Sequence, residues 1–190
     1  VAYCWGDNDV GQLGDGTTTV RNTPTLVNGG HAWKSISAGN GHTCGVTTAD
    51  AGYCWGRNNN GEVGDGTTTH RSDPTLVSGG HAWKSIEAGS LHACGLTTSD
   101  AAYCWGNGGD DRLGNGATAN KSTPSEVVNS AANKWLSISP GGMHSCGLSS
   151  VESTNSSGNE LFCWGANSDG QLGTGNQVSS SSPIAVKKVW

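Results

Sequence analysis

The residues of this chain best equipped for chemistry are its seven cysteines and six histidines, and their spacing is regular. Cys4, Cys54, Cys104 and Cys163 each open a Cys-Trp-Gly triplet. Cys44, Cys94 and Cys146 each stand two residues after a histidine: His42, His92 and His144. Cys44 and Cys54 lie symmetrically about Ala49, and Cys94 and Cys104 about Ser99, so antiparallel hairpins turning there set each pair face to face. Directly opposed residues at a non-hydrogen-bonded position are about 4.5 Å apart at Cα, within reach of a disulfide. Cys146 and Cys163 face each other in the same way across a longer loop, Ser149 to Glu160. A metal site is the rival, but His42, Cys44 and Cys54 supply three ligands, and no Cys-x-x-Cys knuckle occurs. The pattern predicts three disulfides, Cys44–Cys54, Cys94–Cys104 and Cys146–Cys163, with no metal and no cofactor. Each closed loop is worth roughly 2–3 kcal/mol on the entropic account. Disulfides in turn predict an oxidising compartment and a secreted or extracellular-surface location.

Other candidate chemistry fares less well. His42, His92 and His144 recur in every complete unit, which makes them parts of the fold rather than catalysts. His31 and His81 sit in Gly-Gly-His-Ala-Trp, and Asn133 takes their place later, as expected of turn residues. A nucleophile needs a positioned base and an orienting third group, and no unit supplies them. Asp7-Asn8-Asp9-Val10-Gly11 lacks the fifth and twelfth ligands of a calcium loop. Gly14-Asp15-Gly16 has no Gly-Lys-Ser/Thr partner for phosphate. The chain is therefore expected to be no enzyme.

The elements that position these residues come from a repeat. Cys-Trp-Gly returns after 50, 50 and 59 residues, and Pro24, Pro74, Pro124 and Pro183 keep the same intervals. Residues 4–53 and 54–103 share 34 of 50 positions. The chain reads as one array: units 4–53, 54–103 and 104–162, the last carrying insertions, and a partial unit 163–190. Short apolar runs alternate with Gly, Asn and Asp clusters, and no window holds a helical period. Four short strands per unit fit a propeller blade, with a β-solenoid as the alternative on period alone. With 31 glycines, eight tryptophans and 13% charged residues, the composition suits small sheets joined by tight turns. No apolar run reaches the ~18 residues of a membrane helix. The net charge of −5 argues against a nucleic-acid surface.

Within each unit stands a longer signature. Trp55-Gly56-x-Asn58-x-x-Gly61-Glu62-Val63-Gly64-Asp65-Gly66 has counterparts at Trp5 to Gly16 and Trp164 to Gly175, and Ala38-Gly39-x-x-His42 and Ala88-Gly89-x-x-His92 follow. These motifs resemble the repeats of the regulator-of-chromosome-condensation family, in a secreted, disulfide-containing variety. The third unit departs at Gly108, Asp111 and Pro140. The resemblance implies an all-β propeller of four-stranded antiparallel blades, about seven in all, of which this chain supplies a little under four. Family members include a nucleotide exchange factor, ubiquitin-ligase domains, photoreceptors and a secreted β-lactamase inhibitor, so the fold alone leaves the function open.

Differences between near-identical units mark where specificity can reside. They concentrate at Asp7, Asp9, Val10, Val20 and Asn40, with the matching Arg57, Asn59, Asn60, His70, Ser90 and Leu91. Loops on a rigid scaffold are common binding sites, so the expected function is a non-catalytic extracellular module binding a protein partner or neighbouring subunit. A glycan-binding propeller using the repeated tryptophans, a structural subunit of a surface assembly, and an enzyme inhibitor or regulator are the alternatives. Sequons place candidate glycosylation at Asn120 and Asn155. Cys4 has no hairpin mate in the sequence, and the expectation is a bond to a cysteine outside it.

Overall fold

The computed structural model describes residues 1–128, 134–153 and 156–187. Its strands form a two-stranded sheet and three four-stranded sheets, all antiparallel. Strands β1 (Tyr3–Gly6) and β2 (Arg21–Leu26) make the small sheet. The first full blade runs in chain order through β3 (Trp33–Ala38), β4 (His42–Thr47), β5 (Gly52–Gly56) and β6 (Arg71–Leu76). The second comprises β7 (Trp83–Ala88), β8 (His92–Thr97), β9 (Ala102–Gly106) and β10 (Lys121–Glu126). The third comprises β11 (Lys134–Pro140), β12 (His144–Ser153), β13 (Ser156–Gly165) and β14 (Ser180–Ala185).

A blade is thus offset from the sequence unit. It takes the two inner strands of one fifty-residue unit and the two outer strands that open the next. The chain crosses between blades at Gly29-Gly30 and Gly79-Gly80, where positive φ at all four residues turns it. β7 packs against both β3 and β4 of the preceding blade, and β11 against β7 and β8, so the first strands line the inside of the array.

Burial follows from that position. Every residue of β4 and β8 is buried, because these strands are covered on both faces. β2, β6, β10 and β14 form the outer edges, and each carries a proline. Proline cannot donate to a ladder and is tolerated where one strand edge faces solvent. The core is divided between blade junctions. One cluster joins Cys44, Val46, Cys54 and Val63 to Trp83, Ile86 and Trp105 of the next blade; a second repeats it around Leu96, Leu113, Trp135 and Trp164.

Two local expectations change. The stretch from Ser149 to Glu160 is not a loop throughout: β12 and β13 pair from His144↔Gly165 out to Ser153↔Ser156. Its Ser and Asn residues read as turn formers, yet the ladder takes in Ser149 and Ser150 opposite Glu160 and Asn159. In the third unit, where Gly108 replaces the usual asparagine, a single 3-10 turn forms at Gly109–Asp111, with Asp110 and Asp111 both at positive φ.

Candidate functional site

In three of the four units the variable loop is clamped at its base by one buried asparagine, Asn8, Asn58 or Asn167. Asn58 Nδ2 donates to the carbonyls of Thr67 and Thr69 at 3.1 and 3.0 Å, while its Oδ1 accepts from Val63 N at 2.8 Å. Asn8 and Asn167 repeat the arrangement. Asp15 and Asp65 then bind Arg21 and Arg71, with closest approaches of 2.7 and 2.6 Å. Burial works against the Asp15 carboxylate, but hydrogen bonds from Thr17, Arg21 and Asn8 outweigh it and hold its pKa down at about 2.

Several of the variable residues meet on one face of the array. Arg57 N donates to Gly41 O and Asn107 N to Leu91 O, which brings the 57–60 and 107–110 loops beside the 40–41 and 90–91 turns. Among the residues singled out from sequence, Asp7, Asp9, Val20, Asn40 and Asn59 are exposed and free at their tips for a partner, although Asp7 also holds its own loop through Gln12 and Asp9 N. Val10 and Leu91 are half-buried. Others are engaged within the protein. His70 accepts from Asn58 N through Nδ1 at 2.9 Å, and Asn60 holds Glu62 and receives Asn107 and Asn120. Asn120 donates Nδ2 to Asn60 and accepts from Gly108 N, so a sugar on Nδ2 would displace an internal bond. Asn155 lies outside the described residues.

Sequence comparison of units one and two missed a junction device. Arg57 donates to Ser90 O across the first blade junction at 2.6 Å. Across the next, Arg112 donates to Gly142 O at 3.1 Å. Ser90 and Gly142 are equivalent positions, but the two arginines are not: Arg112 stands where Glu62 stands one unit earlier. Glu62 is fully buried and lies 3.5 Å from Arg57, whereas Arg112 pairs with Asp110. In the first unit the same two positions hold Asp7 and Gln12, joined at 2.8 Å. The difference between Gln12 and Glu62 was visible in sequence, but only the structure shows it coupled to the residue five earlier.

The histidines belong to the interior. His92 Nε2 lies 2.8 Å from Ser145 Oγ, which itself donates to Arg112 O, so the histidine is the donor. His42 is equally buried, yet neither of its ring nitrogens finds a partner among the described residues. The reason for Nε2 lies one blade on: the residue equivalent to Ser145 is Ala93, which has no hydroxyl. Ala93→Ser should supply both missing bonds, from His42 Nε2 and to Glu62 O. We expect a gain of about 1–2 kcal/mol, at roughly 1 kcal/mol per bond, measured by urea denaturation.

Burial, followed by the charge of Arg57, lowers the His42 pKa to about 4. Burial, followed by Arg112 and the neighbouring histidines, lowers that of His92 to about 3. A base whose pKa falls on folding binds protons more readily when unfolded. Stability is therefore full above the unfolded value of about 6.5 and declines as pH falls toward 4 and then 3. Asp15 adds a second loss as pH falls through the window between 3.8 and about 2, and Asp65, also lowered, acts in the same direction. Stability measured from pH 7 to 3 should begin to fall near 6.5, before any carboxylate titrates; a flat profile down to pH 4.5 would contradict the buried neutral imidazoles.

The cysteines meet in cross-strand pairs. Cys44, Cys94 and Cys146 lie opposite Cys54, Cys104 and Cys163, with Sγ–Sγ separations of 2.12, 2.14 and 2.11 Å. Cys4 on β1 is unpaired among the described residues and half-buried. Of the tryptophans among the described residues, Trp55, Trp105 and Trp164 are fully buried, Trp83 and Trp135 nearly so, and Trp33 half-buried. Trp5 is the exposed exception, at 60%. Among the described residues no three His, Cys, Asp or Glu side chains gather as a metal site, and no helix is long and apolar enough to cross a membrane.

The regulator of chromosome condensation (RCC1) repeat matches residues 1–46, 53–96, 99–148 and 159–189, and a second form of that repeat matches 33–62 and 83–111. The E3 ubiquitin-protein ligase HERC2 of Homo sapiens and that of Mus musculus are each 50% identical over 50 residues, which is 25% of this chain and 1% of theirs. Human WBSCR16 superposes with a TM-score of 0.82 at 20% identity, over 98% of this chain and 48% of its own. Prp20, the Saccharomyces cerevisiae RCC1, in a structure with Kap60 bound, gives 0.77 at 19% identity, over 96% and 45%. The chain thus spans less than half the length of each of these relatives.

The comparisons correct the expected location. HERC2 and Prp20 are nuclear or cytoplasmic proteins, so the secreted, extracellular variety inferred from the cysteines does not stand. The physical reason is that hairpin register alone brings these cysteines opposite one another, in whatever compartment the fold forms. In the homologues RCC1 and Prp20, domains built of such repeats act as non-catalytic protein-interaction modules. On matches that run through all four of its units, the chain belongs to the regulator of chromosome condensation (RCC1) repeat family.

Proposed function

We propose that the array, with units 4–53, 54–103, 104–162 and 163–190 acting as one body, binds a protein partner through the exposed tips of its variable loops. The observation that carries this reading is the division of labour within each loop. Asn8 and Asn58 fix the loop bases from inside, leaving Asp9 and Asn59 at the tips exposed. Side chains held on a rigid frame lose little entropy on binding. Yeast Prp20p has been characterised for binding Gsp1p and histones, and Kap60 has been seen bound to it. Those three proteins make a defined test panel.

The chain and a double variant, Asp9→Lys with Asn59→Lys, are titrated against each of the three by biolayer interferometry. We expect saturable binding to at least one, weakened about tenfold or more by the substitutions, as for residues central to an interface. The melting temperature should be unchanged, because neither side chain is needed inside the loop. Binding to none of the three, or binding indifferent to both substitutions, would reject the reading.

A further inference from the structure

The paired cysteines of the first two blades are shut in by the blade that follows. Cys44, Cys54, Cys94 and Cys104 are all 0% exposed. Cys44 and Cys54 share one apolar cluster with Trp83, Ile86 and Trp105 of the second blade. Cys94 and Cys104 share another with Trp135, Ile138 and Trp164 of the third, and Ser145 Oγ of that blade lies 3.8 Å from Cys94 Sγ. The third pair differs: among the described residues no further blade follows it, and Cys146 is half-buried.

Burial of this kind governs chemistry, because making or breaking a disulfide needs a thiolate to reach a sulfur. A thiolate cannot enter a cluster of Val, Ile and Trp side chains without losing its hydration. The junction must open first. Chain order supplies a moment when it is open. β4 and β5 are made before β7, and β8 and β9 before β11, so each hairpin forms ahead of the wall that covers it. We propose that docking of each following blade freezes the redox state of the pair beneath it. Cys44 with Cys54, and Cys94 with Cys104, keep whichever state, disulfide or dithiol, they had when their junction closed. The device is a memory rather than a sensor, and it is set blade by blade. In a reducing compartment, a bond made before docking therefore outlasts the glutathione around it. The loop tips Asp9 and Asn59 take no part, so either assignment can fail without the other.

Reduced and oxidised glutathione are the probes. In reduction, one glutathione thiolate attacks an Sγ and the partner Sγ leaves as a thiolate. A second glutathione thiolate then frees the first Sγ from the mixed disulfide. Two glutathiones thus supply the two electrons and leave as their own disulfide, and oxidation runs the same steps backwards. The chain is folded in either state, placed in the opposite glutathione, and sampled over time by acid quenching, alkylation and peptide mapping. Cys146 with Cys163 is the reference within the same molecule. The two covered pairs should change state at least about tenfold more slowly than the reference, in both directions, because exchange waits on sub-global opening. Ile86→Ala should speed the Cys44–Cys54 pair about tenfold or more and leave Cys94–Cys104 as it was, and Ile138→Ala should do the reverse. Should an alanine variant not fold, Ile→Val at the same position gives the same comparison at about threefold. Covered pairs that exchange as fast as the reference would overturn the proposal. So would a reduced chain that fails to fold, since no dithiol state could then be kept. Acceleration of both pairs together under either substitution would overturn it as well, because release would then come from unfolding of the whole chain and no junction would hold a memory of its own.

Discussion

Asn58→Ala is expected to remove roughly 3–5 kcal/mol of folding stability, although it deletes one small side chain from a loop. The loss follows from what is left behind. Val63 N and the carbonyls of Thr67 and Thr69 all bond to this amide, and Asn58 is fully buried. Each buried group without a partner costs about 1–3 kcal/mol. Asn58→Asp is no rescue: it keeps an acceptor for Val63 N but turns an oxygen toward two carbonyls. Asn59→Ala, one residue along and exposed, should stay within about 0.5 kcal/mol. Urea unfolding of the three variants measures the differences. An Asn58→Ala loss below about 1 kcal/mol would mean that water replaces the amide, and the loop tips would lose their proposed rigidity.

The strands were legible because glycine and proline punctuate them at a fixed interval. Pro24 and its equivalents mark outer strands, and Ala49-Asp50 and Ser99-Asp100 mark the inner turns, with Asp50 and Asp100 at positive φ. The blade boundary was not legible, since a repeat can be cut at any phase. The Cys44–Cys54 symmetry joins β5 to β4 ahead of it, and only the hydrogen bonding adds β6 to the same sheet. Ser149 to Glu160 misled because Ser, Asn and Gly favour turns without excluding an antiparallel ladder, and Ser149 is buried within this one.

The loop residues were only half legible. Differences between units picked out Asp9 and Asn59 at the tips, but equally Arg57, Asn60 and His70, which serve the interior. A substitution pattern cannot separate these cases when an internal contact changes both partners together. Asp7 with Gln12 and Arg57 with Glu62 are such paired changes. The location was misread for a different reason: paired cysteines were taken to report a compartment, when they report register.

Gly64→Ala should be about as damaging as loss of the asparagine, for a reason that joins backbone to packing. Gly64 has φ of +75°, and a Cβ there would lie 2.7 Å from Trp105 Nε1 and 2.9 Å from its Cδ1. Trp105 is fully buried and donates to Glu62 O at 2.9 Å, so it has nowhere to move without surrendering that bond. The positive φ alone costs about 1–2 kcal/mol for alanine. Overpacking against the indole adds about 1–3 kcal/mol, for a total of roughly 3–5 kcal/mol once the bond is strained. Gly66→Ala separates the two effects. Gly66 has φ of +89°, but its nearest neighbour would be Thr123 Cγ2 at 3.8 Å, so it should incur the backbone cost only. The difference between the two variants in urea unfolding therefore measures the tryptophan contact by itself. Gly14 and Gly114 make the same approach to Trp55 and Trp164, which makes the indole on the glycine turn the joint between successive blades. If Gly64→Ala and Gly66→Ala prove equally costly, the indole yields freely, and the blades are joined by something other than this contact.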